Sequence, residues 1–141
     1  MDAIATHYEG YVLVRQVSGA DPYFGHYRFA AKSSDIDAAM TWVDLGKSWP
    51  TEQLACEDAW LAGRFAIDGE NYSAAVAHAT EAAAAVMMLA CDDASWPAAV
   101  RAQRTAAARR DLLESRLLGA RERHWPELLT RRTLPMPSRC R

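Results

Sequence analysis

Two stretches near the start of the chain are rich in apolar residues, many of them β-branched or aromatic, as β-strands are. Residues 8–17 read YEGYVLVRQV, and residues 23–31 read YFGHYRFAA. Alternation in the second stretch separates two sets of side chains: Tyr23, Tyr27 and Phe29 on one face, and Phe24, His26 and Arg28 on the other. The turn-forming sequence SGADP lies between the stretches, so the pattern predicts an antiparallel β-hairpin. A lone hairpin is marginally stable in water and must pack on another apolar surface.

The next apolar run has two possible structures. Residues 40–46 read MTWVDLG and fit a third strand of the sheet. The same run also fits a short helix, because periodicity alone does not separate the two in so short a segment. The sequence alone does not decide between a strand and a helix for residues 40–46.

The remainder of the chain has helical periodicity. A first helix over residues 52–68 is predicted because Thr51 is a suitable N-cap and Gly69 supplies a left-handed stop. Its apolar side chains form two stripes on nearly opposite sides, which is typical of a helix packed between two layers. The stripes are Leu54, Leu61 and Phe65 on one side, and Cys56, Trp60, Gly63 and Ile67 on the other.

Two longer helices follow, over residues 72–91 and 97–123, and their alanine-rich stripes suit an antiparallel pair. The sequence therefore predicts an α+β fold: an N-terminal antiparallel β-hairpin of two or three strands packed on a central helix, followed by a long antiparallel helical hairpin. A length of 141 residues predicts one domain. Within it, residues 1–69 hold the hairpin and central helix, 70–125 the helical hairpin, and 126–141 a short turn and a loose basic tail.

Three Trp-Pro steps, at residues 49–50, 96–97 and 125–126, separate these elements. Proline fits the first turn of a helix, and its ring pushes the preceding residue towards an extended conformation. The residues after the first two steps share no pattern, so the steps mark element boundaries and are not copies of a binding motif.

Composition indicates a soluble bacterial protein of the cytoplasm. Alanine (28 residues) and the excess of arginine over lysine (14 to 2) are typical of a GC-rich bacterial genome. Cys56, Cys91 and Cys140 are widely spaced without a C-x-x-C motif, which favours a reducing compartment over a disulfide framework or zinc site. The first residues lack the pattern of a signal peptide. Residues 73–90 are long enough to span a membrane, but His78 and Glu81 argue against it.

The sequence contains no combination of residues typical of an enzyme. The four histidines lack metal-ligand spacing, and neither a nucleophile elbow nor a glycine-rich phosphate loop is present. We therefore expect a protein that is not an enzyme, with no metal and no cofactor.

Charge is divided unevenly along the chain. Residues 1–100 hold 5 basic and 14 acidic side chains, whereas residues 101–141 hold 11 basic and 4 acidic ones. The acidic part predicts a partner-binding surface that attracts a basic protein through complementary potential. Its candidate residues are Asp21, Asp35, Asp37, Asp44, Glu57, Asp58 and Asp68.

The basic part provides an alternative, in which an arginine-rich helix contacts nucleic acid. Its candidate residues are Arg101, Arg109, Arg110, Arg116 and Arg123. These arginines are spread around the helix, acidic residues such as Glu114 interrupt them, and no aromatic residues lie between them for base stacking. The pattern therefore favours a solvated or internally paired helix over nucleic-acid binding.

Residues 8–69 resemble a group of small uncharacterised bacterial proteins with a Y-x-G-Y hairpin and a helix of the form TE…GR…IDG. The matching residues are Tyr8, Gly10, Tyr11, Thr51, Glu52, Gly63, Arg64, Ile67, Asp68 and Gly69. The resemblance implies a β-hairpin followed by a helix and no known activity.

The leading hypothesis is a non-enzymatic protein–protein interaction module. Its most concrete form is an inhibitor or immunity-type protein whose acidic face binds a basic effector such as a nuclease toxin. The alanine-rich helices also permit a homo-oligomer, and no membrane partner is expected.

Overall fold

The computed structural model of the chain describes residues 2–32 and 41–124, with the backbone alone at residues 123 and 124. Four strands are followed by two helices: β1 (Ile4–Tyr8), β2 (Tyr11–Gly19), β3 (Tyr23–Ala31), β4 (Val43–Trp49), α1 (Glu52–Met87) and α2 (Trp96–His124). The strands form one antiparallel sheet in the order β1-β2-β3-β4. This arrangement confirms the predicted α+β class, with four strands where two or three were expected.

The first predicted strand, residues 8–17, is in fact the junction of two strands. Tyr8 pairs with Tyr11 across a two-residue turn formed by Glu9 and Gly10. Both turn residues have positive φ, 47° and 88°, which is the backbone that a tight type I′ hairpin needs. The chain therefore reverses inside the run that the apolar pattern treated as continuous, and residues 4–8 add the edge strand β1.

The predicted hairpin is present as β2 and β3, in register from Gly19 opposite Tyr23 to Tyr11 opposite Ala31. Of the two possibilities for residues 40–46, the strand is correct. β4 begins at Val43, pairs with β3 and ends at Trp49 opposite Tyr23.

The predicted stop at Gly69 is wrong. A single helix, α1, runs for 36 residues and passes through Gly69 without a break. A glycine inside a helix costs only about 1 kcal/mol relative to alanine, and the buried side chains of Ile67 and Tyr72 on either side of it outweigh that cost. The start of α1 is as predicted, because the Leu54 amide donates to Thr51 Oγ1 at 3.2 Å.

Two of the three Trp-Pro steps mark element boundaries as expected. Trp49 is the last residue of β4, and Pro50 separates it from α1. Trp96 is the first residue of α2, with Pro97 in its first turn. The third step, at residues 125–126, lies outside the described residues.

The chain divides into two compact units, with the boundary between Ile67 and Asp68 inside α1. In the first unit, one face of the sheet packs on the N-terminal part of α1. Leu13, Tyr27 and Ile67 form one buried cluster. Val17, Ala55 and Cys56 form a second, against which Tyr23 and Trp49 pack. The alternation predicted for β3 is correct, since Tyr23, Tyr27 and Phe29 all face the helix.

Two glycines set the distance between α1 and the sheet. A Cβ atom at Gly63 would lie 2.4 Å from Cδ1 of Leu13, a side chain that is fully buried. At Gly25 a Cβ would lie 2.5 Å from the Ala55 carbonyl oxygen. Both contacts are shorter than any real Cβ contact. The helix therefore approaches the sheet more closely than a side chain at either position allows.

The second unit contains the C-terminal part of α1 and the helix α2. Asp68 in α1 and Arg116 in α2 form an ion pair with Oδ1 and Nη1 3.6 Å apart. Asp68 lies 19 residues before the end of α1, and Arg116 lies 20 residues after the start of α2. The two residues are thus almost equally far along the chain from the connection between the helices. Their contact therefore shows that the helices run side by side and antiparallel, as predicted.

Buried side chains in this unit follow helical spacing. On α1 they are Tyr72, Ala75, Val76 and Ala79, and on α2 they are Ala106, Leu113 and Leu117. Two of the four residues of the α1 set are alanine.

The connection between α1 and α2 is stabilised by Asp93. Its Oδ1 accepts hydrogen bonds from the Ser95 amide at 2.9 Å and the Ser95 hydroxyl at 2.6 Å. These bonds favour the carboxylate form, so they lower the pKa of Asp93 below its usual value. The Trp96 amide donates to the Asp93 carbonyl oxygen at 3.0 Å, and α2 starts at that residue.

Residues 73–90, which raised the question of a membrane span, belong to α1 and the turn after it. Among the described residues, no helix combines the length and the apolar character that crossing a membrane requires.

We expect Gly63→Ala to destabilise the protein by about 1–3 kcal/mol, because the added methyl group overlaps Leu13 in a packed core. Gly69→Ala is the matched control on the same helix, where nothing lies within 4 Å of the added atom. It should stabilise the protein by up to about 1 kcal/mol. Urea unfolding followed by circular dichroism measures both. A Gly63→Ala variant as stable as the parent would contradict the close approach.

Burial raises the pKa of Tyr27 above its usual value of 10.0. The folded state therefore keeps this phenol protonated at a pH where the unfolded chain already loses the proton. The contribution of Tyr27 to stability is complete below pH 10 and falls as pH rises from there through the folded-state pKa. Tyr27→Phe should make the loss of stability above pH 10 less steep, as measured by urea unfolding at a series of alkaline pH values. An unchanged slope would contradict the assignment.

Candidate functional site

Three of the predicted acidic residues lie on elements that meet at one end of the sheet. Asp21 is exposed in the turn between β2 and β3, Glu57 is exposed on α1, and Asp58 is half-buried beside it. The turn is close to Trp49, because Tyr23 and Trp49 are paired across β3 and β4. Glu52, in the first turn of α1 and also exposed, belongs to the same region. We call these four residues the acidic end.

Trp49 organises the acidic end. Its Nε1 donates a hydrogen bond to Asp58 Oδ2 at 3.1 Å, and its ring packs against the cluster of Val17, Ala55 and Cys56. This contact fixes the Asp58 carboxylate while leaving Oδ1 available to another donor. Lys47 places its Nζ 4.5 Å from the centre of the Trp49 ring, so one positive charge lies beside the four acids.

The other predicted acids are not part of this region. Asp44 lies between Val43 and Leu45, which both pack on the helix side, so its side chain is on the opposite face of the sheet. Its Oδ1 accepts a hydrogen bond from the Gly46 amide at 2.8 Å. Asp35 and Asp37 lie outside the described residues.

Asp68 is not on the surface. It is only 4% exposed and is paired with Arg116 in the second unit. A buried carboxylate that already has a cationic partner is not accessible to a protein that docks from solvent. We therefore assign Asp68 to the packing of the two helices and leave it out of any binding surface.

The predicted arginine set has mixed surroundings. Arg116 is engaged with Asp68, and Arg110 Nε lies 3.0 Å from Oδ1 of Asp111. Arg101 and Arg109 are exposed on α2. Arg123 is in the last turn of α2, where the side chain is not described. At least two of the five arginines therefore have carboxylate partners within their own unit.

A serine, a histidine and an aspartate lie near one another on the face of the sheet opposite α1. Ser18 Oγ and His26 Nε2 are 2.6 Å apart, and Asp44 is the cross-strand neighbour of His26. In a catalytic triad the acid holds the imidazole in one orientation. Here the Asp44 carboxylate binds the Gly46 amide, and Ser18 and Asp44 are both exposed to solvent. The geometry therefore supports a surface hydrogen bond and supplies no activated nucleophile.

A cluster of cations and aromatic rings in the first unit was not predicted from the sequence. The guanidinium carbon of Arg15 lies 5.0 Å from the centre of the Trp60 ring. The guanidinium carbon of Arg64 lies 5.6 Å from the same centre and 4.9 Å from that of Tyr8. The rings of Tyr8 and Trp60 meet edge to face with centroids 6.1 Å apart. Each contact of this kind contributes about 0.5–1 kcal/mol at an exposed site and about 2 kcal/mol when desolvated.

We call Tyr8, Arg15, Trp60 and Arg64 the arginine–aromatic cluster. The spacing of Trp60 and Arg64, four residues apart on one helix, is the only part of the cluster that is visible in the sequence. Arg15 and Tyr8 come from β2 and β1, and only the sheet register brings them to the helix.

Among the described residues, no group of three or more His, Cys, Asp or Glu side chains is arranged to hold a metal ion. Comparisons of the chain with known protein families, characterised proteins and solved structures found no match. The resemblance over residues 8–69 therefore stays a prediction, and any function must be argued from the residues themselves.

We expect Asp68→Asn to destabilise the protein by about 1–3 kcal/mol, because it leaves Arg116 without its buried anionic partner. Glu70→Gln is the matched control, an exposed acid two residues further along the same helix. It should change stability by less than about 0.5 kcal/mol. Thermal and urea unfolding measure both variants. Equal stability of Asp68→Asn and the parent would show that the ion pair is not structural.

Proposed function

We propose that this protein is a non-enzymatic protein-binding module that recognises a basic protein through its acidic end. The observation that supports the proposal is that Asp21, Glu52, Glu57 and Asp58 lie on elements that meet at the end of the sheet where Trp49 lies, with Asp58 hydrogen-bonded to Trp49. Three of these carboxylates are exposed, and the fourth is oriented by the indole of Trp49.

The negative charge of the acidic end and the neighbouring indole both favour a protein partner. Like charges gathered at one place create a potential that speeds encounter with an oppositely charged surface. An indole next to the acids supplies the apolar contact area that charge alone lacks, and tryptophan is enriched at the centres of protein interfaces. The acidic end combines both features, because Glu52, Glu57 and Asp58 lie on α1 next to Trp49 at the end of β4, and Asp21 lies in the turn before β3.

The most concrete form of the proposal is an inhibitor or immunity-type role, in which the acidic end covers the active surface of a basic effector such as a nuclease. A nuclease presents cationic side chains to phosphates, and a cluster of carboxylates competes for those side chains. Location in the bacterial cytoplasm is part of this proposal.

The test is a pull-down from the native host with three forms of the protein. The variant Asp21→Asn/Glu57→Lys changes the charge of the acidic end, and asparagine tolerates the positive φ of 46° at residue 21. The control Glu70→Gln/Glu81→Lys makes the same charge change at exposed positions of the second unit. We expect the parent and the control to retain a basic protein, and the first variant to bind it at least tenfold more weakly.

Salt provides the second criterion. Binding carried by exposed charges should weaken steeply as ionic strength rises. A partner held equally well at high salt, or lost equally in the control, would contradict the proposal. Nuclease activity in the retained fraction that the free protein inhibits would support the immunity-type form. A gel shift with random DNA or RNA would instead favour the arginine-rich helix as the functional surface.

A further inference from the structure

We propose that the arginine–aromatic cluster is a binding site for an oxyanion, that is, a phosphate or carboxylate group carried by a small ligand. The site is distinct from the acidic end and does not depend on the function proposed for it. It consists of Arg15 and Arg64 as the anion-binding groups, with Tyr8 and Trp60 as the aromatic surfaces that hold them.

Arg15 and Arg64 have no anionic partner among the described residues. The Nε atoms of Arg15 and Arg64 are buried and have no hydrogen-bond partner. Within residues 2–32 and 41–124, the interactions of these two side chains are with the rings of Tyr8 and Trp60, and neither forms an ion pair. Their cationic groups therefore have no anionic partner among the described residues, and an unpaired charge that is partly withdrawn from water is unfavourable.

The two guanidinium charges also lie near the same aromatic ring. Both guanidinium carbons lie near one ring centre, at 5.0 and 5.6 Å, so they are at most about 10.6 Å apart. Two like charges at this distance in a half-buried region repel one another. An anion bound between or beside the two charges removes this repulsion. Binding sites often keep groups that lower the stability of the free protein in this way.

The positions of Arg15 and Arg64 leave part of each guanidinium group accessible to a ligand. Arg15 is two residues from both Leu13 and Val17 along β2, so it lies on the face of the sheet that packs on α1. Its own side chain and that of Arg64 are only half-buried. With each Nε turned inwards, the edge formed by the two Nη atoms remains for the paired hydrogen bonds that guanidinium makes with carboxylate or phosphate oxygens.

Ring contacts make the site rigid. Arg64 contacts the rings of both Tyr8 and Trp60, which themselves meet edge to face. The position of Trp60 is fixed because α1 is held against the sheet at the neighbouring Gly63. Two arginines restrained in this way lose little further freedom when an anion binds, which favours binding.

The test uses the full chain with three probes: sodium phosphate, sodium malonate, and sodium chloride at matched ionic strength. We expect phosphate or malonate to raise the melting temperature more than chloride, as a ligand that binds only the folded state does. The same anion should change the fluorescence of Trp60 and show saturable binding by calorimetry. A response to phosphate alone identifies a phosphate ligand, and a response to malonate alone identifies a carboxylate ligand.

Variants locate the site. Arg64→Gln removes one guanidinium and Arg64→Lys keeps the charge without the planar pair of donors, so both should weaken binding, the first at least tenfold. Arg15→Gln removes the other guanidinium group and should also weaken anion binding. Arg101→Gln is the control, an exposed arginine of the second unit, and should bind as the parent does. Circular dichroism shows whether each variant is folded.

Two results would overturn the proposal. One is a parent protein that phosphate and malonate stabilise no more than chloride does. The other is equal weakening by Arg101→Gln and Arg64→Gln, which would indicate nonspecific attraction. Neither result depends on the acidic end, so failure here and failure of the proposed protein-binding function are distinguishable.

Discussion

The first unit depends on the close contact between α1 and the sheet at two glycines. Gly63 on the helix accommodates the side chain of Leu13, and Gly25 on β3 accommodates the backbone of Ala55. With the helix held at this distance, Leu13, Ala55 and Ala59 are completely buried. The same contact positions Trp60 and Arg64, which flank Gly63 on the helix, against the side chains of β1 and β2. The core and the arginine–aromatic cluster therefore both depend on the close approach of α1 to the sheet at these two glycines.

Cations in this unit are directed mainly at aromatic rings. Residues 1–67 contain five basic side chains, and four of them, Arg15, Arg28, Lys47 and Arg64, lie over tryptophan or tyrosine rings. A ring stabilises a cation without cancelling its charge. Consequently the acidic end and the arginine–aromatic cluster keep opposite charges within one small unit. This separation is the physical basis for proposing two distinct binding surfaces.

The second unit uses charge differently. Asp68 and Arg116 neutralise one another between the two helices, and their pairing removes one residue from each of the surfaces predicted from the sequence. This ion pair joins two helices whose buried residues include the small Ala75 and Ala79.

The sequence by itself determined the local structure. β-Branched and aromatic residues predicted β2, and alternation predicted the two faces of β3. The Trp-Pro steps and Thr51 predicted the starts of the helices, and small-residue periodicity predicted an antiparallel helix pair. Each of these signals acts over a few neighbouring residues. It failed at Glu9 and Gly10, where two positive φ angles reverse the chain inside an apolar run, and at Gly69, where buried neighbours on both sides extend the helix.

Only the tertiary structure decided which charges have partners. Asp68 and Arg116 are 48 positions apart in the sequence, and Arg15 and Trp60 are 45 apart. No local pattern records such contacts, because the sheet register and the approach of the helix create them.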